Sequence, residues 1–168
     1  MPGARRTPAG SALTALILDL FRLNSRVLTE GDRLVADLGL TSARWQILGT
    51  IVAAERAQPV AWLARDMGSH RQNVQRIVND LAREGLVSFA ANPHHRRAPL
   101  VILTDEGKRA FEAAMHLQAP WVNKLAEGLN VKEIATTHKV VLALRRKLEG
   151  FNENEDDAIE LDSSRHKS

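Results

Sequence analysis

Polar side chains that could bind nucleic acid are concentrated in one stretch near the middle of the chain. The stretch holds hydroxyl, imidazole, guanidinium and carboxamide groups and no carboxylate: Ser69, His70, Arg71, Gln72, Asn73, Gln75 and Arg76. Such groups can hydrogen-bond to base edges or phosphates from the start of a helix. The absence of acid suits a surface that faces a polyanion. The ordinary alternative is a solvated polar face, which usually carries Glu and Lys.

A second basic cluster lies in a loop bracketed by prolines. Asn92-Pro93 and Pro99 enclose four cationic or hydrogen-bonding side chains: His94, His95, Arg96 and Arg97. The flanking segments, Leu86–Ala90 and Leu100–Leu103, are short and turn-bounded, as the arms of a hairpin are. The pattern predicts a basic wing that touches the DNA backbone or the minor groove. A basic loop in solvent is the alternative.

The first polar stretch needs a helix to present it. Apolar residues recur there at i, i+3, i+4 and i+7, which predicts one buried helical stripe: Val74, Ile77, Val78 and Leu81. Ser69 is the predicted N-cap, and Gly85 is the predicted left-handed residue at the C-terminal end. A shorter helix, Ala61–Met67, precedes it across a turn at Gly68.

Together these elements predict a winged helix-turn-helix lobe over residues 41–103. Thr41 or Ser42 should cap its first helix, whose buried side carries Trp45, Leu48, Ile51 and Val52. In the short helix, Trp62 and Leu63 are expected to pack under the polar helix. The fold class is therefore mainly α, with a small β-hairpin wing.

An N-terminal helix precedes this lobe. From Ser11 to about Leu28, apolar residues recur in a stripe too wide for a helix lying alone on a small domain. The helix therefore needs a partner. Gly31–Gly39 has a weak pattern that fits either a short helix or a linker.

Two helices are expected after the lobe. Thr104 is the predicted N-cap of the first, which should run to about Ala119, where Pro120 kinks or restarts it. Asn130 has capping-box spacing to Glu133 and opens a last helix, expected to end at Gly150.

Both ends of the chain have the composition of disordered segments. Residues 1–10, with their prolines, glycines and Arg5-Arg6, are expected to form a disordered basic arm. Residues 151–168 contain an acidic run and are expected to form a disordered tail. The tail could simply aid solubility or could mimic DNA phosphate.

Composition limits the remaining possibilities. The formal charge is +3, and the six carboxylates and two bases after Gly150 leave +7 on residues 1–150. The 168 residues make about one domain, and with aromatics at 4% its core must be mostly aliphatic.

No cysteine is present, which excludes disulfides, thiolate zinc sites and thiol-based sensing. No apolar run approaches the ~18 residues of a membrane span, and no signal peptide is recognisable, so a cytoplasmic protein is expected.

Known catalytic and cofactor motifs are absent from the sequence. There is no HExxH, nucleophile elbow, phosphate-binding glycine loop or Rossmann glycine pattern, so no enzyme activity and no cofactor are expected. His94-His95 could be half of a metal site, but adjacent histidines in a wing more often point apart, so no metal site is predicted. His116 and His138 are expected at the surface or in an interface.

The order of these features resembles the MarR family of bacterial regulators, over roughly residues 13–148. The resemblance is carried by Leu40-Thr41, Gly68, Arg76, Leu81, Gly85-Leu86-Val87, Asn92-Pro93, Arg96-Arg97 and Leu103-Thr104-Asp105-Glu106-Gly107. In one respect the chain departs from the family, whose wing usually reads acidic-Arg-Arg, with the acid steadying the wing arginine. Here His95 precedes Arg96, so another acid must orient Arg96 or the wing is looser.

The resemblance implies a homodimer on double-stranded DNA in the bacterial cytosol, at the nucleoid when bound. Residues 11–30 and 104–149 would form its dimerisation helices, with residues 11–150 as the whole family domain, and a short third strand would pair with the wing near Pro59 or Val60. Two recognition helices about 34 Å apart would then read a palindromic operator. Arg71, Gln72, Asn73 and Gln75 are assigned to base edges. Phosphates are assigned to Ser69, His70 and Arg76, and the DNA backbone or minor groove to Arg96 and Arg97.

The resemblance also implies a repressor that a small, aromatic or anionic effector releases. The pocket would lie between the first helix and the 41–55 helix, which makes five residues candidates: Phe21, Arg22, Arg26, Trp45 and Leu48. For Phe21, Trp45 and Leu48 the alternative is a plain core position. Two other classes of function stay open, an architectural DNA-binding protein without a ligand and a winged-helix module that binds a protein.

Overall fold

A computed structural model describes residues 5–165, with side chains described for residues 5–150. Its helices are α1 (Pro8–Val35), α2 (Ser42–Ala53), α3 (Val60–Asp66), α4 (Arg71–Arg83), α5 (Asp105–Ala126) and α6 (Val131–Arg165). Its strands are β1 (Gln58–Pro59), β2 (Val87–Ala90) and β3 (Leu100–Leu103), and a 3-10 turn, Ala36–Leu38, joins α1 to α2. The fold is mainly helical with one small sheet, as the sequence predicts.

The three strands form one antiparallel sheet in the order β1-β3-β2. In the hairpin, Val87 pairs with Leu103 and Ala90 pairs with Leu100. Pro59 pairs with Leu100 on the other side of β3, so the third strand lies at Pro59, one of the two predicted positions. The loop between β2 and β3 is the predicted wing.

The buried stripe of α4 is the centre of the core. All four predicted residues are buried, and Val78 and Leu81 have no exposed surface. They belong to one cluster with residues of α2, α3 and β3, among them Ile47, Leu48, Leu63 and Val101. Full burial of each such side chain contributes about 1.5–3 kcal/mol, so this cluster fixes which face of α4 points outward.

Trp62 does not pack under α4, contrary to the expectation from the sequence. In α3 the buried residues are Val60, Leu63 and Ala64, whereas Trp62 is 43% exposed. The reason is helical geometry, because a residue next to Leu63 and two positions from Val60 lies off the stripe that those residues define. Leu63 is buried as expected.

Four of the predicted helix ends are confirmed. The Thr41 hydroxyl accepts from the Arg44 amide at 3.3 Å, and the Thr104 hydroxyl accepts from the Gly107 amide at 3.0 Å. Asn130 accepts from the Lys132 amide through its side chain at 2.8 Å. Gly85 has φ 76°, the left-handed conformation that ends α4.

The predicted cap at Ser69 is wrong. The N-cap of α4 is His70, whose backbone is extended and whose side chain makes no capping hydrogen bond. The Ser69 amide instead donates to the Ala64 carbonyl at 2.9 Å and closes the turn between the helices. Because Ser69 completes that turn, the helix begins one residue later than predicted.

The N-terminal helix is longer than the sequence indicated. Thr7 caps α1 by accepting from the Gly10 amide at 3.0 Å, and Pro8 occupies the first helical position. Proline suits that position because its missing N–H would have no helical partner there. The expectation of a disordered arm is therefore wrong from Thr7 onward, and residues 1–4 lie outside the described residues. At its other end α1 continues to Val35 and so includes the first part of Gly31–Gly39, for which the sequence pattern fits either a short helix or a linker.

The C-terminal helices also continue past their expected ends. Pro120 lies inside α5, which runs to Ala126. The backbone of α6 is helical to Arg165, so the predicted end at Gly150 and the predicted disorder of residues 151–165 are wrong. Gly150 is not among the glycines with positive φ, and an interior helical glycine costs only about 1 kcal/mol. Residues 166–168 lie outside the described residues.

The chain divides into two compact units, Met1–Val122 and Asn123–Ser168. The first contains the sheet and the core cluster. In the second, α6 carries apolar side chains that are exposed in the single chain: Val131, Ile134, Val140 and Leu148.

Gly107→Ala should destabilise the protein, because a Cβ there would lie 2.0 Å from the Leu86 carbonyl oxygen and 2.8 Å from Leu103 Cδ1. Overpacking of this kind costs about 1–3 kcal/mol, and here the clashing atom is backbone. Gly150→Ala is the matched helical control, because a Cβ there meets nothing within 4 Å and alanine favours a helix. Urea unfolding followed by circular dichroism should show a lower midpoint for Gly107→Ala alone. Equal midpoints for the two variants would contradict the packing described.

Candidate nucleic-acid interface

The polar face of α4 lies on the surface, opposite its buried stripe. His70, Arg71, Gln72, Asn73 and Arg76 are exposed, whereas Ser69 and Gln75 are partly buried. The structure thus brings all seven predicted residues together at the start of one helix. Burial of the stripe turns these residues outward, because in a helix of 3.6 residues per turn the positions between the stripe residues lie on the opposite side.

Hydrogen bonds within α4 divide this face into linked and unlinked side chains. Arg76 donates to the Asn73 side-chain oxygen at 3.1 Å, and Gln75 donates to Asn79 at 3.0 Å. In the described residues no side-chain hydrogen bond or ion pair is recorded for Arg71 or Gln72. These two side chains are therefore available to a ligand without the loss of an existing contact.

The wing is held in shape by Asn92. Its side-chain nitrogen donates to the Ala98 carbonyl at 2.9 Å, and its side-chain oxygen accepts from the His94 amide at 3.0 Å. The Ala98 amide in turn donates to the His95 carbonyl at 3.0 Å. One asparagine thus joins the two ends of the loop, as Asx turns do.

All four basic side chains of the wing are exposed: His94, His95, Arg96 and Arg97. Within the described part of the chain, neither wing arginine is paired with a carboxylate. No acid therefore takes over from the acidic residue that His95 replaces. The guanidinium groups remain fully available to an anion.

Two bases at the start of α5 are paired with carboxylates. Lys108 donates to Asp105 at 3.0 Å in the first turn of α5, and this hydrogen bond lowers the pKa of the Asp105 carboxyl below its ordinary value. Arg109 donates to Glu106, and that bond raises the pKa of Arg109. These two side chains therefore add no unpaired positive charge at the start of α5.

Sequence reasoning missed an ion pair that fixes the end of α4. Arg44 of α2 donates to the Gly39 carbonyl at 2.9 Å and also to Glu84, the C-cap residue of α4. The Arg44 side chain is only 17% exposed, so this pair is better shielded from water than the other ion pairs of the described residues. Nothing in the local sequence could reveal it, because the partners lie far apart along the chain.

The effector candidates are not gathered in one place. A cavity of about 330 Å³ lies between α1, α2 and the first part of α5, and Trp45 lines it. Leu48 is fully buried in the core instead, and Phe21, Arg22 and Arg26 are exposed on α1. The cavity is also lined by residues that were not among the effector candidates, including Val27, Phe111, Met115 and Trp121.

Neither a membrane span nor a metal cluster occurs in the described part of the chain. No described helix is both long and apolar enough to cross a membrane. No group of three or more His, Asp or Glu side chains among those residues could hold a metal ion.

Comparison with a family model and with solved structures gives the same family, and a curated relative matches most of the chain. The model of the MarR family matches residues 38–98. The uncharacterised protein Rv2011c of Mycobacterium tuberculosis is 34% identical over 137 residues, which are 79% of this chain and 94% of that protein. Among solved structures, a mutant MarR of E. coli complexed with operator DNA is similar at 26% identity and a TM-score of 0.64, covering 76% of this chain and 94% of that one.

A further similar structure contains a ligand. CouR of Rhodococcus jostii, bound to p-coumaroyl-CoA, matches with 23% identity and a TM-score of 0.65, covering 74% of this chain and 87% of that one. At this level of identity the match concerns the fold.

Asn92→Ala should loosen the wing, because it removes both side-chain hydrogen bonds that close the loop. Backbone order parameters from 15N relaxation should fall for residues 94–98, toward the values below about 0.6 that mark flexible segments. Asn79→Ala removes a surface hydrogen bond on α4 and should leave the wing unchanged. If the Asn92 variant kept wild-type order parameters in the wing, another contact must hold the loop.

Proposed function

The chain belongs to the MarR family of transcription regulators, and we propose that it binds a palindromic operator in double-stranded DNA as a homodimer. In this proposal it represses transcription while bound, and a small-molecule effector releases it. Recognition would use α4 in the major groove and the wing on the flanking backbone or minor groove.

The acid-free surface at the start of α4 is the observation that carries the proposal. Its exposed side chains are two arginines, a histidine and two carboxamides, and the wing adds two further arginines without carboxylate partners among the described residues. Arg71 and Gln72, which have no recorded side-chain partner in that part of the chain, together with Asn73 and Gln75, are the residues we assign to base edges. Arginine pairs well with guanine, and carboxamides pair well with adenine.

We assign the remaining residues of the surface to the DNA backbone. Arg76, His70 and Ser69 would bind phosphates, as would Arg96 and Arg97 of the wing. The hydrogen bond from Arg76 to Asn73 would pre-orient both side chains, since each restricts the other. His94 and His95 lie beside the wing arginines and would add donors to the same strand.

Exposed apolar side chains on α1 support the dimer. Phe21, Leu23 and Leu18 are 69%, 58% and 49% exposed. Large apolar side chains this exposed on one helix indicate an interaction site. A closed two-fold dimer would cover it and would set the two copies of α4 one helical turn of DNA apart.

The cavity between α1, α2 and α5 supports a small-molecule effector. Aromatic side chains from two helices line it, Trp45 from α2 and Phe111 and Trp121 from α5. Its volume of about 330 Å³ is at the lower end of the range for ligand sites. The ligand of CouR has aromatic and anionic parts, and we propose the same chemical class for this chain, with Trp45 as the remaining candidate from the sequence.

Selection of bound duplexes from a random pool tests the proposed function. We expect a palindromic sequence to be enriched and to bind at least ~10³-fold more tightly than a scrambled duplex at the same salt. Strong, salt-sensitive binding without sequence preference would instead indicate an architectural protein, because phosphate contacts carry no sequence information. No binding at low salt would favour a protein partner.

Two substitutions should separate base recognition from backbone binding. Gln72→Ala should cost about 1–3 kcal/mol on the preferred duplex and little on a scrambled one. Arg97→Ala should weaken both duplexes alike and reduce the slope of log affinity against log salt by about 1. Fluorescence anisotropy titrations at several salt concentrations measure both effects. Equal losses on both duplexes for both variants would contradict the assigned roles.

A cavity-filling substitution tests the effector site. Aromatic carboxylates that raise the thermal midpoint of the wild-type protein should fail to raise that of Met115→Trp, because the larger side chain occupies the cavity. Leu117→Trp is the matched control, because Leu117 is on the same helix, equally exposed at 38%, and outside the cavity lining. Compounds that stabilise all three proteins equally bind elsewhere, which would overturn this site.

A further inference from the structure

An exposed tryptophan of α3 lies beside two arginines, Arg65 of the same helix and Arg56 of the turn after α2. Trp62 is 43% exposed, and the guanidinium carbons of Arg56 and Arg65 lie 5.6 Å and 5.8 Å from the centroid of its ring. Both distances are in the range of cation–π interactions. Core packing accounts for only part of this large side chain, because 43% of its surface stays exposed.

Arg56 and Arg65 have no carboxylate partner in the described part of the chain. Elsewhere on the surface, Arg22, Arg33 and Arg109 are each paired with an acid three residues away. Glu55, immediately before Arg56, has φ 55°, a conformation that non-glycine residues seldom adopt. The strained turn after α2 thus precedes the arginine that lies near Trp62.

The cluster borders a groove that is free of acidic residues. The groove has a volume of about 770 Å³ and runs between the start of α3 and the wing. Arg56, Trp62, Arg71 and Arg97 line it, together with histidines and small apolar residues, and no Asp or Glu is among the described lining residues. It therefore connects the start of α4 with the wing in one positively charged, partly apolar surface.

We propose that Arg56, Trp62 and Arg65 bind the sugar–phosphate backbone of one DNA strand in this groove. The backbone alternates anionic phosphates with apolar deoxyriboses, and the cluster places two guanidinium groups around an apolar ring. The guanidinium groups would bind successive phosphates, and the indole would pack on the sugar between them. The inference rests on the proposed function and extends its interface from α4 and the wing to α3.

A DNA strand fits this groove better than a small anion does. One small anion would engage one or two cations, whereas the groove is lined by three arginines, Arg56, Arg71 and Arg97. Arg65 lies beside Trp62 at its border. In helix-turn-helix proteins the helix before the recognition helix crosses the DNA backbone. In this chain that helix is α3, which carries Trp62. Such contacts fix the orientation and register of the protein on the duplex and do not depend on the base sequence.

The test uses the full chain, the duplex enriched by selection and a scrambled duplex, with titrations at several salt concentrations. Arg56→Ala and Arg65→Ala should each weaken binding about 5- to 10-fold on both duplexes and reduce the salt slope by about 1. Arg33→Ala, which makes the same change in net charge on α1, should leave the salt slope at the wild-type value. Wild-type salt slopes for both cluster variants would overturn the proposal.

Trp62 is tested by its fluorescence and by a graded pair of variants. DNA should quench the wild-type emission, and Trp62→Phe should lose most of that quenching while binding within about 3-fold of wild type. Trp62→Ala should bind about 10-fold more weakly. Unchanged quenching in Trp62→Phe would overturn the proposal, and this readout does not depend on the alanine variant folding.

The two hypotheses fail in different ways. A wild-type protein that shows no preference for any duplex defeats the proposed function. A wild-type protein that prefers its operator, with cluster variants that keep both its affinity and its salt slope, defeats only the backbone contact at α3.

Discussion

Burial of one apolar stripe on α4 determines the rest of the structure. Val74, Ile77, Val78 and Leu81 pack against α2, α3 and β3, and their burial leaves the intervening positions of the same helix in solvent. Those positions hold the polar residues proposed to read DNA. The direction of the recognition surface is therefore a consequence of hydrophobic packing, and Arg44 reinforces it by holding the far end of the helix through Glu84.

Local, periodic features were predictable from the sequence because they depend on neighbours along the chain. The stripe of α4, the hairpin strands, the left-handed Gly85 and the Thr104 cap all follow from spacing or from one residue's conformational preference. The errors also have local causes. Ser69 has the right side chain for a cap but is used in the preceding turn, and a lone Gly150 does not end a helix.

Features that depend on tertiary arrangement could not be predicted in the same way. The Arg44–Glu84 pair and the groove between α3 and the wing join residues that are distant in sequence. The exposure of Trp62 is an intermediate case. The stripe of Val60, Leu63 and Ala64 could have excluded it from the core, but its aromatic character suggested burial. For the effector site, only Trp45 among the five candidates lines the cavity, because sequence alone does not reveal which side of α1 faces α2.

In the wing, hydrogen bonds of Asn92 determine the shape of the loop, and arginines that are unpaired among the described residues supply its charge. Asn92 closes the loop through backbone partners, so the shape of the loop does not depend on an ion pair. His95 stands where the family usually has an acid. The missing carboxylate would have held the wing arginines, Arg96 and Arg97, in place, but it would also have cancelled part of their charge. Side chains freed in this way lose more conformational entropy on binding and offer more attraction to phosphate. A wing of this kind suits the proposed backbone contact, where position along the strand matters less than charge, whereas base recognition is proposed for the side chains of α4.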